Sequence, residues 1–297
     1  MNIDQTEQFL RAVLLRTTGK ENPVKSFKSI SGGCINNGLK VTVEDLPGKE
    51  VCYFVKWNDE SVGTLFEKES LGLDLLRTQT SFSIPSVIGY GVYGIKRFLV
   101  LEWIESAVPG SNFWEEFGRK LADQHRSTAE QYGLSTSNYI GKLTQINEYK
   151  DNWIDFFIEN RLEVQLGLAI YNRRISKEFA KRFRYLYSQL PGLLVEEPAS
   201  LLHGDLWSGN FIADADGNPC LIDPAVYYGN REIEIAFTKL FGGFDQQFYR
   251  TYEEVYPLQA EFDVRADIYN LYPLLVHVNI FGDSYLPGIE MVMRQYC

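Results

Sequence analysis

The chain has 297 residues, of which 45% are hydrophobic, enough apolar content for one or two cores of about 150 residues each; this excludes a disordered or fibrous protein. With 29 Lys and Arg against 39 Asp and Glu the net charge is −10, so no global positive field draws the chain to nucleic acid or to an anionic membrane, and any phosphate must be held by a local device. Four scattered cysteines, Cys34, Cys52, Cys220 and Cys297, make neither a disulfide framework nor a zinc site. Together with a polar, acidic start and no long uninterrupted apolar run, they lead us to expect a cytoplasmic protein.

In chain order, a first helix is expected from Asp4, which caps it with Glu7 three residues on; Phe9, Leu10, Val13 and Leu14 form its apolar face and Gly19 stops it. The period then changes to two. Strands are expected over residues 24–31, 38–44 and 51–57, joined by the tight turn Gly32-Gly33-Cys34-Ile35-Asn36-Asn37 and by Leu46-Pro47-Gly48, a three-stranded antiparallel meander. A helix follows with Leu65, Phe66, Glu69, Leu73 and Leu76 on one face, which points a carboxylate inward and requires a partner for it. Strands over 87–90 and 97–104 precede a linker at 107–112. The second half reads as helices over 113–129, 153–171 and 177–190, the last ended by Pro191-Gly192, with a small hairpin set between Asn210 and Asp223. The expected class is α+β, with a β-rich part over 1–104 and a mainly helical part over 105–297.

The strongest chemical signal is His203-Gly-Asp205-Leu-Trp207-Ser-Gly-Asn210, followed after the hairpin by Ile222-Asp223-Pro224. Phosphoryl transfer from ATP needs one carboxylate to take the proton of the attacking hydroxyl, and Mg²⁺ held against the phosphates by an Asn and a second Asp. Asp205, Asn210 and Asp223 supply that set, with Asp205 and Asn210 at the spacing of the protein-kinase catalytic loop. Lys56, near the end of the third strand, and the inward Glu69 match the strand lysine that clamps phosphates and the helix glutamate that orients it. Gly32-Gly33 then covers the phosphates, although no Gly-x-Gly-x-x-Gly or Walker sequence is present.

Ser31-Gly-Gly-Cys-Ile-Asn36, Phe54-Val-Lys56, Phe66-Glu-Lys-Glu69, the 203–210 segment, Ile222-Asp-Pro-Ala225 and the stretch from Glu234 to Phe244 together resemble the fructosamine 3-kinase (ketosamine kinase) family over nearly the whole chain. The resemblance implies a bilobal protein-kinase-like fold similar to that of aminoglycoside phosphotransferases. It implies ATP-dependent phosphorylation of the sugar 3-hydroxyl of ketoamines, free or on glycated protein lysines, with Mg²⁺ as the metal. Glu102-Trp103-Ile104 is then the hinge beside adenine, and Gly32, Gly33, Cys34 and Asn36 join Lys56 and Glu69 around the nucleotide. Asp-Pro-Ala in place of Asp-Phe-Gly removes any basis for Phe-in/Phe-out regulation.

Three residues are assigned tentatively to the acceptor. Trp207 either stacks on a sugar face or packs in the core. His277 and Asn279 lie two apart on an expected helix, so they do not share a face squarely; the resemblance makes their segment part of the acceptor wall. His125 is read as packing. Cys34, in the glycine turn, is a candidate redox switch whose oxidation blocks loop closure or links two chains, giving a monomer or a redox-dependent homodimer; Cys52 and Cys220 are expected to be buried and inert. The alternatives are a kinase of the same fold acting on an aminoglycoside, choline or a free sugar, and a catalytically silent scaffold.

Overall fold

The computed structural model describes residues 2–30, 37–59 and 63–296. Helix α1 (Ile3–Thr18) is started by Asn2, not by Asp4: the Asn2 side chain accepts the Gln5 N–H while the Gln5 side chain accepts the Asn2 N–H. This reciprocal cap satisfies two donors at once and leaves Asp4 in the first turn, where its charge suits the helix dipole. Gly19 closes the helix at φ +72°.

Then follow β1 (Val24–Ser29), β2 (Asn37–Leu46), β3 (Lys49–Asn58), α2 (Leu65–Gln79), β4 (Val87–Tyr93) and β5 (Lys96–Glu102). They form one antiparallel sheet in the order β1-β2-β3-β5-β4. The expected meander is thus part of a larger sheet in which β5 returns between β3 and β4. That makes β3 an interior strand, and Lys56, opposite Gly38 on one side and Leu99 on the other, is 5% exposed. Phe9, Leu10, Val13 and Leu14 pack against Val41, Val43, Val55, Phe98 and Val100 on one face of the sheet.

The chain continues with α3 (Phe113–His125), β6 (Thr128–Ala129), β7 (Asn138–Ile140), β8 (Leu143–Gln145), a turn α4 (Trp153–Asp155), a π-helical segment Phe156–Leu162, α5 (Glu163–Tyr171) and α6 (Lys177–Leu193). After these come β9 (Ala199–Leu202), β10 (Phe211–Ala213), β11 (Pro219–Leu221), β12 (Tyr227–Gly229), α7 (Arg231–Leu240), α8 (Gln246–Val255), α9 (Phe262–Phe281), a 3₁₀ turn Asp283–Tyr285 and α10 (Leu286–Tyr296). α3 ends earlier than expected because Thr128 and Ala129 pair with Ser200 and Ala199 of β9. The expected helix over 153–171 is interrupted by its π-helical turn, where Arg161 is fully buried and stacks 4.0 Å from the Tyr227 ring centroid. Pro191 does not stop α6, which runs on to Leu193; a proline this close to a C-terminus forfeits little of the hydrogen-bond ladder.

The chain divides into two compact units, residues 1–78, 82–113 and 211–223 forming the first, and 79–81, 114–210 and 224–297 the second. The first holds the sheet with α1 and α2; the second is mainly helical. The β10–β11 hairpin, expected with the helical part, belongs by its contacts to the first: Leu221 N–H donates to Ser83 O, Ala107 N–H to Ala213 O and Gly110 N–H to Gly217 O. Among the described residues no helix is long and apolar enough to cross a membrane.

Candidate active site

In the first unit, Lys56, Glu69 and Asp223 meet. The Lys56 ammonium donates to Glu69 Oε1 and to Asp223 Oδ1, both at 2.8 Å. Glu69 reaches it because α2 turns Leu65, Phe66, Leu73 and Leu76 into the core and carries the carboxylate on the same side. Burial opposes the charged ammonium, but the carboxylates of Asp223 and Glu69 outweigh it and hold Lys56 above its usual range. Burial, helped by the neighbouring Asp223 charge and opposed by Lys56, pushes Glu69 up. Asp223 is the most open of the three, its side chain 35% exposed, and it sits at φ +54°, a left-handed conformation that Asp tolerates better than most residues. A charge as deep as Lys56 is stable only when paired in this way.

Of the other residues assigned to the nucleotide, Glu102 ends β5 and exchanges hydrogen bonds with Ser86, its N–H to Ser86 O and its Oε2 from Ser86 N–H. The Trp103 indole N–H donates to Glu105, and the Lys40 ammonium lies 4.5 Å over the same ring; Ile104 is half-buried. Gly32, Gly33, Cys34 and Asn36 lie outside the described residues, as does Cys297. Cys52 is half-buried beside the Thr42 hydroxyl rather than enclosed, whereas Cys220 is buried and its thiol is pushed up to about 12 by that burial.

In the second unit, the segment after β9 is pinned at successive backbone groups. His203 N–H and Gly204 N–H donate to Glu234 Oε2 and Oε1 at 3.1 and 2.7 Å, and Asp205 N–H donates to His203 Nδ1 at 3.3 Å. His203 O accepts the Ala225 N–H. Gly204 is at φ +82°, and a Cβ there would stand 2.0 Å from Ala225 O, so only glycine lets the loop pass this close. Asn210 Nδ2 donates to Asp205 O at 2.8 Å and to Asp205 Oδ2 at 2.9 Å. Those two bonds fix the Asn210 amide with its oxygen directed away from Asp205. Trp207 is half-buried and its ring folds over Gly209, where a Cβ would come within 2.4 Å of it.

Gly204 and Asp205 border a cleft whose walls include Ile140, Tyr227, Tyr272 and His277. The His277 Nδ1–H donates to Pro273 O at 2.7 Å, and its ring packs among Phe241, Tyr285 and Phe281. Asn279 is not brought to the cleft with it. Its amide donates to Gln165 O and Oε1, both at 2.9 Å, because a two-residue step carries it round the helix toward α5.

Burial holds the His277 imidazole below its ordinary value, with the Pro273 hydrogen bond opposing. The unfolded chain therefore takes up a proton that the folded protein refuses, so this contribution to stability is full above the unfolded value and is lost as pH falls through the folded one. Between about pH 7 and pH 5 the wild-type unfolding midpoint should drop more than that of His277→Leu; equal slopes would show that His277 titrates freely.

Two residues of this region escaped the sequence reading. His125, taken as packing, is fully buried with both ring nitrogens engaged, Nδ1 with Tyr252 Oη at 2.8 Å and Nε2 with Glu234 Oε2 at 3.0 Å. Glu234 lies between Ile233 and Ile235 on the buried side of α7, the same signal, a carboxylate in an apolar run, that singled out Glu69. Burial works against the Glu234 carboxylate, but its contacts with His125 and the Gly204 N–H outweigh it and hold its pKa below the usual range.

Comparison with known proteins places the whole chain in a family. The family model described as fructosamine kinase matches residues 6–297. A probable ketoamine kinase of Synechocystis sp. is 37% identical over 291 residues, covering 97% of this chain and 96% of that protein. A chloroplastic protein-ribulosamine 3-kinase of Oryza sativa subsp. indica is 35% identical, covering 94% and 81%. Among solved structures, one assigned as a fructosamine-3-kinase of Haemophilus somnus superposes with a TM-score of 0.86 at 29% identity, covering 97% and 96%. The choline kinase LicA of Streptococcus pneumoniae and the aminoglycoside phosphotransferase APH(4)-Ia each reach a TM-score of 0.63 at 18% and 15% identity and share the fold alone. The fold is thus the protein-kinase-like α+β fold, and the chain belongs to the fructosamine kinase family.

Proposed function

We propose that the protein is an ATP-dependent kinase that phosphorylates the 3-hydroxyl of sugar ketoamines, free or on protein lysines. The observation that carries this reading is the Asp205 carboxylate, held by the Asn210 amide and bordering a cleft lined by Tyr227, Tyr272 and His277. Asp205 orients the acceptor hydroxyl and takes its proton as the oxygen attacks the γ-phosphorus. Lys56, aligned by Glu69, neutralises the nucleotide phosphates. His277, neutral and with Nδ1 committed to Pro273, offers Nε2 to a sugar hydroxyl as an acceptor. Phosphate placed at C3 is a good leaving group next to an enolisable centre, so enolisation expels it as inorganic phosphate, and hydrolysis of the resulting imine by water then releases the amine and a deoxydicarbonyl sugar.

The chain's donors suit Mg²⁺. Asp223 gives Oδ1 to Lys56 and is partly open, and the Asn210 amide oxygen is turned away from Asp205; each offers the kind of oxygen donor this ion takes. When bound, Mg²⁺ neutralises charge developing on the transferred phosphoryl group. Replacing Asn210 or Asp223 by Ala should weaken MgATP binding and shift activity to higher magnesium, read by calorimetry and magnesium titration; unchanged affinity in both variants would assign these residues to folding alone.

The function is tested with a panel of fructosyl-lysine, ribulosyl-lysine, a glycated protein, an aminoglycoside and choline, followed by ATP-dependent phosphate incorporation. Turnover is expected on the ketoamines. Turnover confined to the aminoglycoside or choline overturns the reading.

A further inference from the structure

We propose that a buried hydrogen-bond relay from Arg231 through Tyr252 and His125 to Glu234 positions the Asp205 loop for catalysis. It makes His125, Tyr252 and Glu234 positioning residues for the transfer. The inference rests on Asp205 being the hydroxyl-orienting carboxylate.

With His125 neutral and Glu234 ionised, the donors and acceptors of the relay fit one direction. A guanidinium only donates, so Arg231 Nη1 gives a hydrogen to Tyr252 Oη at 3.2 Å. Tyr252 then donates its own proton to the neutral imidazole at His125 Nδ1, 2.8 Å away. The imidazole hydrogen therefore resides on Nε2 and is donated to Glu234 Oε2 at 3.0 Å. An ionised carboxylate only accepts, and Glu234 also collects the N–H groups of His203 and Gly204. The chain of donors begins at a group that cannot accept and ends at one that cannot donate, which suits the direction from Arg231 to Glu234.

Arg231 is itself held, by Glu197 at 2.8 and 2.9 Å and by the carbonyls of Tyr256 and Pro257. None of Arg231, Tyr252, His125 and Glu234 is more than 3% exposed. The relay ties α8, α3 and α7 to the two backbone N–H groups immediately before Asp205, where Gly204 passes hard against Ala225 O. A network that merely satisfied buried polar groups would affect stability alone; this one ends on the loop that carries Asp205.

The test uses the full chain and compares Tyr252→Phe, His125→Phe, the double variant and Glu234→Gln. Kinetics are taken well below each unfolding midpoint, and amide hydrogen exchange is measured at 203–205. Loss of the Tyr252 hydroxyl, and with it the contacts to Arg231 and His125, should lower kcat by about 3–10-fold, with KM for ATP and ketoamine within about twofold. His125→Phe should cost about 10–100-fold, and the double variant no more than His125→Phe, because the tyrosine acts through the histidine. Exchange at Gly204 and Asp205 should quicken while that of α9 does not. If Glu234→Gln fails to fold, Tyr252→Phe still decides the matter, since it removes a single hydroxyl. Lowered midpoints with wild-type kcat and wild-type loop exchange, or fully additive losses in the double variant, overturn the relay. An active Asp205→Asn would instead overturn the underlying function, and loop exchange reads the relay without any substrate.

Discussion

Asp205→Asn should lower turnover by about 10²–10⁴ while nucleotide binding stays close to wild type. The replacement is nearly isosteric, so the loop that Glu234 and Gly204 hold in place has no steric reason to move. Its amide does have a preferred orientation. Asn210 Nδ2 donates to Asp205 Oδ2, so the carbonyl oxygen of the variant takes that position and its NH₂ group stands where Oδ1 was. An NH₂ group cannot take the proton of an attacking hydroxyl. The measurement is single-turnover kinetics with a ketoamine, alongside calorimetry of nucleotide binding. Turnover within a few-fold of wild type would remove Asp205 from the chemistry.

The second large effect is expected at Lys56. Lys56→Ala removes the ammonium that bridges Glu69 and Asp223, whose side chains are 11% and 35% exposed. Breaking a buried ion pair by deleting one partner costs about 3–5 kcal/mol, and here the loss falls toward the lower end because Glu69, already pushed up by burial, can take a proton. Activity should fall by about 10² or more, as the compact ammonium that meets phosphate charge is gone. Glu69→Gln should cost less, since the amide oxygen still accepts from Lys56 and Asp223 still pairs with it. The two losses should not add, because both act through one ammonium. A double-mutant cycle on kcat/KM with additive losses would mean that Glu69 does not orient the lysine.

Some of this was open to a reader of the residues alone. Glu69 stands out because helical periodicity places it among Leu65, Phe66, Leu73 and Leu76, and a carboxylate in such a stripe must find a cation. Asp205 and Asn210 stand out because the loop that binds one to the other spans only five residues. The hairpin after Asn210 is likewise local, with Asp214 Oδ1 accepting the Asp216 and Asn218 N–H groups to shape its turn. Where two residues are near in sequence, spacing alone limits where their side chains can meet.

The same kind of residue was illegible when its partner lay far away. Glu234 sits in an apolar run as Glu69 does, but its partner His125 is 109 positions distant, and no period reports such a pairing. His125 and Asn279 were judged by their own helices, and the partners that gave each its role, Glu234 and Tyr252 for one and Gln165 for the other, come from other elements. The sequence by itself determined the periodic elements, the inward carboxylate of α2 and the Asp205-to-Asn210 loop, all products of short-range stereochemistry. Only the tertiary structure decided that β5 returns beside β3 to bury Lys56, that Asp223 shares that lysine with Glu69, and that a relay from Arg231 ends on the Asp205 loop, because a buried polar group must take its partner from whichever chain segment the packing brings to it.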